Sequence, residues 1–328
     1  MIDIQRIGRP IFSRIVLGIL AFLLTVSCGT NSTQSEDSVT PVNSDCRMIQ
    51  HMMGETCVPL NPQRIVTIDP FSLENVLAFG LKPIGYAIAP DWLEKRNYLR
   101  DRLVGIESAG NHNQPSLEKI LALKPDVILG LELESEAIYP HLAQIAPTVI
   151  LPFETSAQWK DVLIKNAETL GQVDAANALM TDYETRLDGF KRQMQSTYPD
   201  PLQVSVVRLY PNSMAIYAED SFIGTILEDV GLESSIPASQ ALRLNLSKET
   251  LHLADGDAIF VWSNEVGDSQ QQVQAELESL KADPLWQQLD AVQNNRIYKV
   301  PSYWIGSSIL TAHAVLDDLS NTLLETDE

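Results

Sequence analysis

The chain has 328 residues, 45% of them apolar, with 23 basic against 43 acidic side chains for a formal net charge of −20. The apolar content suffices for two domains with cores of their own. The charge excludes nucleic acid and an anionic membrane surface as partners held by electrostatics. In chain order, the first element is the apolar run 15–26, preceded by Arg6, Arg9 and Arg14 and closed by small residues up to Cys28. A basic stretch, a short apolar stretch and small residues at a cut site form the layout of a secretory signal. The run falls short of the roughly 20 residues that a membrane-spanning helix needs. Residues 29–38 are Gly, Ser, Thr, Asn, Gln and acids only, which cannot order themselves by burying surface and predict a flexible tether.

Cys28, directly behind small residues, resembles the lipobox of bacterial lipoproteins, although Thr25 stands where leucine is usual and Leu24 lies one place early. That resemblance implies a signal peptide over 1–27, a diacylated Cys28 as mature N-terminus, and a lipidated tether over 28–44. The expected location is the periplasmic or extracellular face of the cell membrane, lipid-anchored. An ordinary signal peptide or a single anchoring helix is the alternative. Cys46 and Cys57 are the remaining pair, and in an oxidising compartment such a pair is expected to be bonded. With Gly54 offering a turn, residues 46–57 predict a small hairpin with a disulfide across it; a metal site of Cys46, His51 and Cys57 is the other possibility.

From Pro62 onward, apolar stretches alternate with helical ones. Strands are predicted at 64–69, 83–88, 103–106, 126–129 and 148–151, and helices at 72–79, 92–100, 116–123 and 134–145. Short, β-branched strands that are apolar on both faces suit a parallel sheet covered by helices. Residues 156–195 then carry Trp159, Leu163, Leu170, Tyr183, Leu187 and Phe190 at mostly helical spacing, with Gly171 as an interior breaker. A helix of that length reaches roughly 60 Å, too long for one lobe and suited to a strut between two; a surface helix broken at Gly171 is the alternative. A second series follows, with strands at 204–210, 214–218, 257–262 and 296–300 and helices at 222–230, 269–281 and 305–324. The expected fold is α/β: two lobes, each with a mainly parallel sheet flanked by helices, joined by one long backbone helix. The expected boundaries are an N-terminal lobe with a leading disulfide hairpin over 45–155, a linking helix over 156–195 and a C-terminal lobe over 196–328.

Four segments carry a family resemblance: 58–66 (VPLNPQRIV), 74–85 (ENVLAFGLKPIG), 116–128 (SLEKILALKPDVI), and 222–224 with 227–232 (FIG, LEDVGL). In this order the chain resembles the substrate-binding lipoproteins of iron–siderophore ABC transporters from about Cys46 to its end. The resemblance implies a binding protein and not an enzyme. It would capture a ferric siderophore between its lobes, carry no covalent cofactor, and deliver the ligand to the permease subunits of an importer while held at the membrane by its lipid. Haem or cobalamin is the alternative ligand within the same class; a zinc or manganese binding protein or an anchored α/β enzyme is more remote. The sequence contains no G-x-S-x-G, H-E-x-x-H or P-loop motif, and its five histidines are scattered.

The resemblance implies that one glutamate per lobe, Glu74 and Glu228, docks to permease arginines, whose planar fork pairs a carboxylate bidentately. Arg208 stands near the end of the apolar strand VSVVRLY, where a charge is costly unless it faces a cleft or a partner. The family places an arginine on that strand to meet the anionic oxygens of the ferric complex; a structural salt bridge is the other reading. Tyr210 and Tyr217 flank the next turn. Trp92, Trp262, Tyr303 and Trp304 lie at or beyond strand ends, where aromatic rings give a cleft rigid contact area. Asp69 follows the first strand of the series, and Asn111 with His112 precede the 116–123 helix, near the same edge. No resident metal is expected.

Overall fold

A computed structural model of the protein describes residues 45–236, 242–265, 268–306 and 308–324. The signal, Cys28 and tether assignments fall outside these residues. The described chain opens with an antiparallel hairpin of β1 (Cys46–His51) and β2 (Gly54–Pro59), turning at Met52 and Met53. Cys46 and Cys57 are disulfide-bonded with their Cα atoms 5.5 Å apart. His51 Nε2 lies 2.8 Å from the Thr56 hydroxyl, so the metal reading of these residues is excluded. The hairpin is pinned to the body by the Met52 amide on the Ile150 carbonyl and by Arg47 donating to the Thr169 and Leu60 carbonyls.

The first lobe is built on β3 (Ile65–Thr67), β4 (Gly85–Tyr86), β5 (Glu107–Ser108), the small pair β6 (Gly110–Asn111) and β7 (Gln114–Pro115), β8 (Val127–Leu131) and β9 (Thr148–Leu151). Its main sheet is parallel throughout, in the order β5-β4-β3-β8-β9. Every residue of β3, β8 and β9 is buried, as a sheet covered on both faces requires. Helices α1 (Pro70–Ala78), α2 (Pro90–Glu94), α3 (Leu117–Leu123), α4 (Glu132–Ser135) and α5 (Tyr139–Ile145) cover it. Asp69 caps α1, accepting from the Ser72 amide at 2.8 Å, and Pro70 opens the helix with a ring that costs no hydrogen bond there. Three expected elements differ. The 103–106 strand is a turn closed by Gly105 at φ +75°, with pairing only at β5. The 92–100 helix splits into α2 and the single 3₁₀ turn Asn97–Leu99. The 134–145 helix breaks ahead of Pro140, which starts α5.

The connector is two helices, α6 (Trp159–Leu170) and α7 (Val173–Thr197), separated at Gly171. Gly171 adopts the left-handed conformation at φ +70°, and a Cβ there would meet the Arg47 guanidinium at 2.8 Å. The break is therefore built by glycine's freedom at a helix end. Trp159, Leu163, Leu170 and Tyr183 are fully or nearly fully buried along it, each such side chain contributing about 1.5–3 kcal/mol by leaving water. The start of α6 is tied into the second lobe: the Trp159 indole donates to Thr225 at 3.0 Å, and Lys160 and the Tyr183 hydroxyl both donate to Asp229.

The second lobe holds β10 (Gln203–Tyr210), β11 (Ser213–Tyr217), α8 (Phe222–Val230), β12 (Glu233–Ser234), β13 (Arg243–Leu246), β14 (Ala258–Ser263), α9 (Asp268–Lys281), α10 (Asp290–Gln293), β15 (Ile297–Lys299) and α11 (Ile309–Leu323). The sheet order is β13-β11-β10-β14-β15, with β12 against the start of β10. Strands β12, β14 and β15 run parallel in this sheet with β10, while β11 and β13 are antiparallel additions. The last helix starts at Ile309 and not at 305, because Ser302–Ile305 form a 3₁₀ turn and Ser308 caps α11.

Candidate functional site

On the second lobe, register gathers the cluster. Arg208 and Tyr210 are two apart on β10 and share a face. Trp262 of β14 pairs directly with Arg208, Ala215 of β11 pairs with it on the other side, and Arg243 of β13 pairs with Tyr217. Arg208, Tyr210, Tyr217, Trp262 and Arg243 therefore stand on one face of the sheet. The Arg208 guanidinium lies 4.2 Å from the Tyr210 ring centre and 4.8 Å from that of Trp262, and Arg243 approaches Tyr210 at 5.6 Å. Arg208 Nη1 donates a long bond to the Tyr217 hydroxyl, and Arg208 Nη2 lies 3.5 Å from Glu265 Oε1. Four buried polar atoms here have no hydrogen-bond partner among the described residues: Arg208 Nε, the Tyr210 hydroxyl, Trp262 Nε1 and Asn264 Oδ1. Burial raises the pKa of Tyr210, and Tyr217 adds to the rise, so its phenol stays protonated. A cavity of about 450 Å³ opens between the ends of β10 and β14 and helix α9, lined by Leu209, Val261, Trp262, Val273 and Leu277 of this lobe and by Lys95 of the other; Arg208, Tyr210, Tyr217 and Arg243 do not line it.

The first lobe answers with a second arginine. Arg96, just past α2, lies flat on Trp92 with its guanidinium carbon 3.4 Å from the ring centre. It is 2% exposed, and its Nε sits 3.6 Å from Glu74 Oε1. Burial lowers its pKa first of all; Tyr98 and Glu74 oppose that, and the charge of Arg208 adds to it. The two arginines, one per lobe, thus lie within electrostatic reach. Here the lobes also touch: the Ser302 hydroxyl donates to the Lys95 carbonyl at 2.7 Å, and the Tyr98 and Tyr303 rings meet edge to face at 6.1 Å.

Two expectations need correction. Glu74 is not a surface carboxylate: it is 0% exposed, accepts from the Tyr98 hydroxyl at 2.9 Å and from the Ser308 hydroxyl, and neutralises Arg96. A carboxylate in that position cannot meet a partner's arginine. Trp304 is core: it is 0% exposed, stacked on Phe260 at 4.8 Å, with its indole donating to Asp318 at 2.7 Å. Tyr303 spends its hydroxyl on the same Asp318. Asp69 and His112 share a separate cavity of about 150 Å³ with Phe71 and Leu131; the His112 Nδ1 accepts from the Ala89 amide, and Asn111 accepts from the Asn113 amide. Burial pushes the Asp69 carboxyl up to about 6, against the pull of its bonds to Ser72. Glu228 is exposed on α8. Among the described residues, no group of three or more His, Cys, Asp or Glu side chains is placed to hold a metal. Sequence reasoning missed Arg96, Arg243 and Glu265. Only Arg243, alternating with Leu244 and Leu246 on a short amphipathic strand, carried a local signal.

Two α/β lobes, a connector packed against both, and cationic side chains from each lobe at a common edge define a binding protein that grips a ligand between its halves. The chain belongs to the periplasmic binding protein family, which matches residues 65–304. That family comprises substrate-binding proteins that work outside the cytoplasm. The chain is 27% identical over 325 residues to the probable siderophore-binding lipoprotein YfiY of Bacillus subtilis, covering 96% of this chain and 98% of that one. It is 31% identical over 268 residues to the achromobactin-binding periplasmic protein of Dickeya dadantii, covering 79% of this chain and 86% of that one. The crystal structure of Staphylococcus aureus SirA complexed with staphyloferrin B superposes with a TM-score of 0.74 at 27% identity, over 84% of this chain and 98% of SirA.

Proposed function

We propose that this protein is the extracytoplasmic capture component of an ABC importer, binding a ferric siderophore between its lobes and handing it intact to the permease. One observation carries the reading: Arg208, near the end of an apolar strand at the interlobe edge, has a buried Nε–H that nothing among the described residues satisfies. A buried donor left unpaired costs about 1–3 kcal/mol, and an anionic oxygen of the iron complex relieves it. The relatives named for siderophores agree. Diacylation of Cys28 would hold the protein near its permease and raise its effective concentration there. Docking to permease arginines falls to exposed carboxylates. Glu228 supplies one on the second lobe, and Glu74, being buried, is not available for that role. The boundaries 45–155, 156–195 and 196–328 are the working division of lobes and connector.

The test is intrinsic tryptophan fluorescence, since Trp92 and Trp262 lie under the two arginines. Ferric siderophores of several chemistries should quench it saturably. Absence of saturable quenching by every ferric chelate overturns the reading. For docking, Glu228→Ala should leave ligand affinity intact and depress cellular uptake; unchanged uptake removes the docking role.

A further inference from the structure

Resting on that reading, we infer that the iron chelate is a hydroxycarboxylate complex, held through free carboxylate oxygens by Arg208 and Arg243, and not a ring-bearing ligand stacked on the aromatic residues. The aromatic faces are already in use. Trp92 carries Arg96 at 3.4 Å, Trp262 carries Arg208 at 4.8 Å, and Tyr210 has Arg208 at 4.2 Å and Arg243 at 5.6 Å. Trp262 has the Tyr217 ring against it as well, 5.4 Å between centres. A catechol or porphyrin ring seeking these faces must lift a guanidinium off its ring and forfeit the cation–π attraction. A carboxylate forfeits nothing, because a guanidinium lying on a ring still presents its N–H edge, and bidentate pairing along that edge is what a carboxylate does.

Glu265 shows the same preference from inside the chain. Its Oε1 lies 3.5 Å from Arg208 Nη2, too long for a good hydrogen bond, and leaves Arg208 Nε unsatisfied. It is an incomplete carboxylate partner, replaceable by one of better geometry. The Asn264 carbonyl oxygen and the Trp262 indole N–H, both buried and without a partner among the described residues, add an acceptor for a ligand hydroxyl and a donor for a ligand oxygen. A chain of net charge −20 that still places Arg208 and Arg243 together, with Arg96 already balanced by Glu74, is arranged for a ligand carrying negative charge. A neutral trihydroxamate offers no such charge.

The experiment is titration calorimetry of the purified protein with three probes: ferric citrate, a neutral ferric trihydroxamate and a ferric tris-catecholate. Ferric citrate should bind at least roughly 100-fold more tightly than the other two. Arg208→Gln should weaken citrate binding by roughly 30-fold or more, and Glu265→Gln should strengthen it about threefold to tenfold. Circular dichroism confirms that each variant is folded; if Arg208→Gln fails to fold, Glu265→Gln and Arg243→Gln decide, the latter weakening binding. Preference for the trihydroxamate or the tris-catecholate, or a Glu265→Gln variant that binds citrate no better than the parent, overturns the carboxylate assignment and leaves the siderophore reading standing. Failure of all three probes overturns both.

Discussion

Replacing Glu74 by Ala separates a buried counter-ion from a surface docking group. The carboxylate is fully buried, and it balances Arg96, which is itself 2% exposed. Removing one member of such a pair leaves the other charge uncompensated, at about 3–5 kcal/mol. The Tyr98 and Ser308 hydroxyls lose their acceptor at the same time. The expected loss is therefore about 4 kcal/mol, or roughly 10 °C in Tm for a chain of this size. Urea unfolding followed by circular dichroism reads it. Adding Arg96→Met to Glu74→Ala removes the stranded charge and should recover about half of the loss, while Arg96→Met alone strands Glu74 and is destabilising. A Glu74→Ala variant that loses less than about 1 kcal/mol, or a double variant no more stable than the single, refutes the counter-ion reasoning.

Asp69→Asn tests the other buried carboxyl. With its folded pKa at about 6, above the ordinary 3.8, the native state holds the proton over a pH range where the unfolded chain has lost it. Stability should fall by about 3 kcal/mol as pH rises from below 4 to above 6. Asn caps a helix as well as Asp, so the variant should match the parent below pH 4, exceed it at pH 7 and lack most of that slope in urea titrations; an unchanged slope counts against the buried-charge account. Reducing the Cys46–Cys57 bond frees a hairpin that contributes no residue to the arginine cluster, so melting should show a loss of up to about 3 kcal/mol, with ligand affinity unchanged.

The two lobes were legible because their strands are apolar runs that only a doubly covered sheet can use, and β3, β8 and β9 are buried throughout. Gly171 was legible as a breaker, but whether the break would form depended on Arg47 and Leu60 packing around it, a contact from far along the chain. Arg208 could be read because an apolar strand frames its charge. Glu74 sits beside Leu73, Val76 and Leu77, yet a lone acid in an acidic chain reads as solvated and the family resemblance places it at a docking surface; its burial comes from Arg96, Tyr98 and Ser308, which pack on it from elsewhere in the chain. Arg96 had no such frame. It follows Glu94 and Lys95 and reads as one more solvated charge, and only the fold of the 90–103 segment over Trp92 and Glu74 removes it from water. A binding arginine can be found in sequence when its local pattern demands burial, and it is lost when burial comes entirely from elements distant in the chain. Arg208 belongs to the first kind and Arg96 to the second. Glu74, in a helix whose residues 72–77 are all buried, requires a cation from elsewhere in the chain, and only the tertiary structure shows that this cation is Arg96.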